Sequence, residues 1–257
     1  MPLVRFGGHV FPSILNITLS ESMSVTWPYP EIGLHMAFTI SVKESIVDVQ
    51  CEVDHFEELE LIEIAKRATH LARAAVNMVC FAGGLGATVV LEHVIRPNGI
   101  PDRIYSYDPA LAQLCTAYGI NTGNNAANTA FAQTYLMLVL DLSLARAIDD
   151  LVVANTVFDQ SLVNCARAVE TIRELLAPGL DRNDGWPLVH KALRCSKAYV
   201  VSITKPSTRV RHGDHSFIDG ETTTQSIRRA WTLMDRYLIL RNRGLQELPE
   251  SEFPELT

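Results

Sequence analysis

The chain has 257 residues, 47% of them hydrophobic and 20% charged, with a net charge of −7. That is ordinary globular composition, sufficient for one large domain or two modest ones with a sizeable buried core. The five cysteines (Cys51, Cys80, Cys115, Cys165 and Cys195) lie at least 29 residues apart. This excludes a CxxC zinc or redox pair and reads as buried thiols in a reducing compartment.

Met1 to Ser13 has no cationic start followed by an apolar stretch, so no secretory signal is expected and the expected location is the cytoplasm. Residues 34–53, rich in Val, Ile, Thr and Phe, alternate as half-buried strands do and predict two strands around Ser45. Asp54 and Glu57 have capping-box spacing. The apolar residues from Leu59 to Val79 then recur at helical spacing, which predicts a helix over about Phe56 to Cys80. Ala74 to Leu91 is uncharged, but Gly83, Gly84 and Gly86 make it a helix end leading into a strand, Thr88 to Ile95, and no membrane span is expected. Those glycines follow a helix and enter a strand, the reverse of a phosphate loop.

Asp108-Pro109 predicts a short helix ending near Tyr118, and the turn-rich Asn121 to Thr129 places a domain boundary after residue 125. Beyond it, four helices are predicted: Phe131 to Val152, Asp159 to Ala177, Asn183 to Ile203 with a break, and Thr222 to Arg243. The expected class is α+β. A small N-terminal sheet on a long helix (1–125) precedes an antiparallel helical bundle (126–247) and an extended acidic tail (248–257).

Charge is unevenly divided. Residues 1–140 carry 7 Lys and Arg against 13 Asp and Glu, whereas 186–243 carry 11 against 4, a local balance of +7. Within the second stretch, Lys205 to Ser216 brings Lys205, Arg209, Arg211, His212, Asp214 and His215 together. Histidine exchanges a proton near neutral pH and arginine holds phosphate with paired hydrogen bonds, so such a set can activate a 2′-OH and stabilise a phosphorane without a metal. A structural role competes for the same residues: Arg211 and His212 can cap the preceding helix, with Gly213 supplying a positive φ. His212-x-x-His215 with Asp214 gives three ligands from one loop and no distant partner, a poor metal site, so neither metal nor cofactor is expected.

Arg211-His212-Gly213 before the last long helix, Ala168-Val169-Glu170 in an earlier one, and the order of the bundle resemble the HEPN family, helical domains common among prokaryotic RNases of toxin and phage-defence systems. The resemblance implies an RNA-directed role in prokaryotic conflict, as a metal-independent endoribonuclease, with His212 and Arg211 catalytic, Arg209, Lys205 and His215 on substrate, and a homodimer through the bundle. The family's arginine is separated from its histidine by four to six residues, where this chain has Ser207, Pro206 and Lys205. The alternative is a non-catalytic helical interaction or dimerisation module. Trp27, Trp186 and Trp231 read as core or loop anchors, and His70 and His93 as ordinary core or surface residues. No GxSxG, HExxH or Walker pattern occurs.

Overall fold

The computed structural model describes residues 1–29, 33–103, 109–116, 129–212 and 219–257. An antiparallel sheet is followed by helices, the expected α+β class, and the chain divides into two compact units, Met1–Tyr107 and Asp108–Thr257.

In the first unit, β1 (Leu3–Phe11), β2 (Met23–Tyr29), β3 (Leu34–Lys43) and β4 (Ile46–Val53) precede α1 (Leu61–Gly83), and β5 (Thr88–Ile95) and β6 (Pro101–Arg103) follow it. They form one six-stranded sheet in the order β2-β3-β4-β1-β5-β6. The alternation read in the sequence is what packs it. Leu34, Met36, Phe38, Ile40 and Val42 of β3 and Val47, Val49, Cys51 and Val53 of β4 point to one face. There they meet Ile64, Ala65, Ala68, Ala72 and Val76 of α1, whose alanines allow the helix to lie close to the sheet.

The β3–β4 hairpin turns on two residues, Glu44 and Ser45, both with positive φ (52° and 63°). That geometry matches the twist of the flanking strands. Its cost for non-glycine residues is met by neighbours: Ser45 donates its N–H to the Ile17 carbonyl and accepts the Ile17 N–H on its hydroxyl, while Thr18 Oγ1 accepts from the Glu44 N–H.

Two strands, β1 and β2, lie ahead of the expected pair. β1 was hidden by Gly7-Gly8, where the register with β5 shifts. A Cβ at Gly8 would collide with the Val90 carbonyl, so the strand can approach β5 only without side chains there. The helix start also moves by one turn. The capping box is formed by Glu57 and Glu60 on a short 3-10 turn, not by Asp54 and Glu57, and α1 begins at Leu61.

The second unit contains α2 (Pro109–Leu114), α3 (Thr129–Leu140), α4 (Leu142–Thr156), α5 (Phe158–Leu176), α6 (Arg182–Leu193), α7 (Lys197–Arg211) and α8 (Gly220–Asn242). α5 is its axis, packed against α4, α6, α7 and α8 through the buried Cys165, Ala168, Val169 and Ile172. Side-chain caps set the starts: Asp141 accepts from the Leu144 N–H, Asp181 from Asn183 and Asp184, Ser196 from Tyr199, and Asp219 from Thr222. The Asp141 cap divides the expected single helix 131–152 into α3 and α4. The expected break in the third helix falls at Arg194, which ends α6 at φ 49°.

Three further expectations are revised. The helical unit begins at Asp108, ahead of the boundary drawn after residue 125, because Leu111 is buried in its core and Asp235 of α8 accepts the Thr116 N–H (2.7 Å) and hydroxyl (2.6 Å). α7 runs on to Arg211 with Pro206 inside it, so Lys205, Arg209 and Arg211 are helical and not in a loop. The tail is docked, not extended. Leu248 is buried, Phe253 and Leu256 pack on the same core, and the backbones of Arg194 and Ser196 pair with Leu256. Arg236, itself buried, donates to the carbonyls of Leu193, Arg194 and Pro254.

Among the described residues no helix is long and apolar enough to cross a membrane, and no cluster of His, Cys, Asp and Glu could hold a metal ion.

Candidate functional site

The last turn of α7 carries Lys205, Thr208, Arg209, Arg211 and His212 outward, while Ile203, Thr204 and Ser207 face the core. Helical spacing accounts for the division. The buried hydroxyls of Thr204 and Ser207 donate to the carbonyls of Val200 and Thr204, keeping polar atoms satisfied beside the core. His212 is the C-cap, its N–H shared by the carbonyls of Thr208 and Arg209. The capping role expected as the competing reading is therefore present in its backbone, and its ring belongs to an exposed residue. Cations at this end also meet the partial negative charge of the helix terminus. His215, with Gly213 and Asp214, lies outside the described residues.

Glu170 of α5 holds this end in place. Its Oε1 lies 3.4 Å from Arg211 Nη1 and 3.5 Å from Arg182 Nη2, so one carboxylate draws together cations from α6 and α7. Arg211 and Glu170 are about one-third exposed (32% and 28%), whereas Arg182 is 63% exposed. The carboxylate thus neutralises part of two cations and leaves the outer part of the Arg182 fork in solvent.

The +7 of residues 186–243 is not one continuous surface. Arg194 pairs with Glu250, Arg243 with Glu252, Arg241 with Asp141, and Arg236 is spent on carbonyls, so acids from the tail and from α4 meet much of the excess. Exposed cations of this stretch stand on α6 and α7, at Lys191, Lys197, Lys205, Arg209 and Arg211, with Arg182 of α6 beside them.

Next to these cations, α6 and α7 part to leave a cleft of about 280 Å³, lined by Arg182, Asn183, Trp186, Pro187, His190, Lys197, Val200, Val201 and Thr204. Trp186 and His190, one helical turn apart, lie nearly parallel, 22° between planes and 6.2 Å between centroids. Arg173 of α5 places its guanidinium 5.8 Å from the Trp186 centroid. Burial holds the His190 imidazole below its ordinary pKa, opposed by a hydrogen bond with the Cys195 backbone and aided by Lys197. Trp186, expected in the core, packs partly against it and is half-buried, while Arg182 and Lys197 carry no sequence signal of their own. The available signal was the i,i+4 pair Trp186 and His190 on a helix opened by a basic residue.

Residues 4–105 match the model of the N-terminal domain, and residues 130–242 that of the C-terminal domain, of a domain of unknown function, DUF8168. The chain belongs to the DUF8168 family. The first match runs from β1 to β6, and the second from α3 to the end of α8, so both the exposed end of α7 and the α6–α7 cleft lie within DUF8168. The docked tail and α2 lie outside the two matches. No curated protein and no solved structure matches the chain.

Proposed function

We propose that the helical unit is a HEPN-like module that binds RNA in the cytoplasm of a prokaryote, in a conflict or defence setting, and cleaves it without a metal. The observation that carries this is the exposed last turn of α7, where Arg209, Arg211 and His212 fall within four residues and Glu170 orients Arg211. In this reading Arg209, Lys205 and His215 hold phosphate, and Arg211 stabilises charge on the phosphorane. His212 takes the proton of a 2′-OH, whose oxygen attacks the adjacent phosphorus. The 5′-oxygen leaves with a proton from solvent, giving a 2′,3′-cyclic phosphate and a 5′-hydroxyl.

His212→Ala tests it. General acid or base catalysis contributes on the order of 10² to 10⁴ in rate, whereas an exposed C-cap side chain adds little to stability. Cleavage should disappear with the melt unchanged, and an RNA carrying 2′-deoxy at the cut site should resist the parent protein. Binding without cleavage in the parent would remove the catalytic half and retain the RNA-binding half.

A second reading, a non-catalytic dimerisation module, is favoured by α3. This 12-residue helix has no charged residue, and Tyr135, Leu136, Val139 and Leu140, with Leu142 just after it, are all more than half exposed. Sedimentation of the parent and of Leu136→Glu tests it: a dimer converted to monomer supports the module, and a monomeric parent ends it.

A further inference from the structure

The cleft between α6 and α7 is a second feature of the same surface, and its lining differs in kind from the arginine-rich end of α7. Its walls are largely side-chain carbon and aromatic ring: Trp186 and His190 from α6, Pro187, Val200 and Val201. Its polar groups are few and sit at particular points. Arg182 and Asn183 stand at the first turn of α6, Lys197 at the first turn of α7, and Thr204 lies deeper, its hydroxyl already donating to the Val200 carbonyl. An apolar body with a small number of placed polar groups is the composition of small-ligand sites. At about 280 Å³ the volume suits a single flat ring system.

The flat, nearly parallel faces of Trp186 and His190 select a planar ligand, because aromatic rings gain most from offset stacking. Burial keeps His190 uncharged to lower pH than a solvent-exposed imidazole, which suits stacking on an uncharged ring. Arg182 and Lys197, both exposed, select an anionic group at the mouth. Asn183 offers both a donor and an acceptor for the edge of a base. A planar base joined to a phosphate satisfies all three demands. Arg182 also shares Glu170 with Arg211, so the mouth of the cleft and the end of α7 are joined through one carboxylate.

We propose that the α6–α7 cleft is a base pocket: it takes one unstacked nucleotide, with the base against Trp186 and His190 and its phosphate on Arg182 and Lys197. The inference rests on the RNA reading above, since single-stranded RNA is read by proteins that splay out bases and stack them on aromatic side chains. The ligand chemistry, base plus phosphate, is common to a nucleotide within a strand and to a free mononucleotide, and the experiment separates them.

The intact protein is titrated with a short unstructured RNA, with the same RNA carrying one abasic site at each position in turn, with AMP and UMP, and with inorganic phosphate as the probe for charge alone. Parent protein is compared with Trp186→Leu and with Arg182→Gln/Lys197→Gln, each checked for an unchanged melt. Trp186→Phe, which keeps a ring, serves as the rescue. The pocket predicts that one abasic position weakens the parent about tenfold, that Trp186→Leu weakens the intact RNA by a similar factor and is indifferent to that position, and that Trp186→Phe restores most of the loss. RNA that binds equally well with and without the abasic sites, through Arg209 and Arg211, overturns the pocket and leaves the RNA reading standing. Saturable binding of AMP or UMP, lost in Trp186→Leu, with no RNA binding at all, overturns the RNA reading and supports the cleft as a site for a free nucleotide. Inorganic phosphate competing as well as AMP, with no effect of Trp186→Leu, overturns the pocket.

Discussion

Glu170 and Arg211 are 41 residues apart in sequence and 3.4 Å apart at the closest charged atoms, and this pair joins the axial helix α5 to the exposed end of α7. Both partners are about one-third exposed, so the pair adds no more than about 1 kcal/mol to stability. Its larger effect is on the field outside the protein. Glu170→Gln removes the negative charge between Arg211 and Arg182 and should leave the melt nearly unchanged while tightening RNA binding by up to about tenfold at low ionic strength. Weaker binding in that variant would mean the carboxylate is needed to aim Arg211.

Arg209→Ala with Arg211→Ala should flatten the dependence of log affinity on log salt by about 1.4 to 1.8 if two phosphate contacts are lost. Binding isotherms between low and moderate salt read this directly. An unchanged slope would place the phosphate contacts elsewhere, for instance on Lys191 and Lys197.

Arg236 of α8 donates to three carbonyls, those of Leu193 and Arg194 where α6 turns into α7 and that of Pro254 in the tail. Arg236→Met should cost roughly 2 to 4 kcal/mol and expose the chain beyond Leu248 to limited proteolysis. A loss under about 1 kcal/mol in chemical denaturation would show that water replaces the guanidinium without penalty.

The helical unit should fold by itself when cut as 108–257, with one cooperative, helix-dominated melt. The shorter piece 131–243, which spans only the four helices predicted from the sequence, lacks Leu111, Thr116, Leu248, Phe253 and Leu256 and should melt earlier and more broadly. Equal melts for the two fragments would show that α2 and the tail add nothing.

Burial pushes the thiols of Cys51, Cys165 and Cys195 up to about 12. In the unfolded chain they titrate near 8.5. A folded pKa above the unfolded one means that the neutral form is favoured by folding. That contribution is whole below about pH 8.5 and is lost as pH rises from there toward 12. Native protein at pH 8 should therefore resist iodoacetamide at these three positions, and denaturant stability should fall through the alkaline window. Rapid labelling of any of them at pH 8 would show that its helix or strand opens readily.

Much of the fold was legible where side-chain periodicity is strong. Leu34 to Val53 alternates cleanly, α1, α5 and α8 carry long apolar stripes, and these elements appear within a few residues of their expected bounds. What escaped was set by contacts remote in sequence. β1 exists because Gly7 and Gly8 allow a close approach to β5, and α7 continues through Pro206 because its inner face, Ile203, Thr204 and Ser207, is buried. The tail, acidic and proline-bearing, looks unstructured until Arg236 and Arg194 are seen to receive it. For the candidate site, the basic cluster could be read from composition. The cleft could not, because it arises from the Arg194 turn that sets α6 against α7.

That turn has a consequence for the order in which the protein is made. Arg194 gives its carbonyl to the Leu256 N–H and its guanidinium to the Phe253 carbonyl, and Ser196 gives its N–H to the Leu256 carbonyl. The corner joining α6 to α7 is thus pinned by residues translated some sixty positions later. On the ribosome the sheet of the first unit can form while synthesis continues, because all its strands have emerged by then. The corner beside the cleft must wait until residue 256 has cleared the exit tunnel. The growing chain therefore passes through a long interval in which its N-terminal half is finished and the corner between α6 and α7 has not yet been pinned.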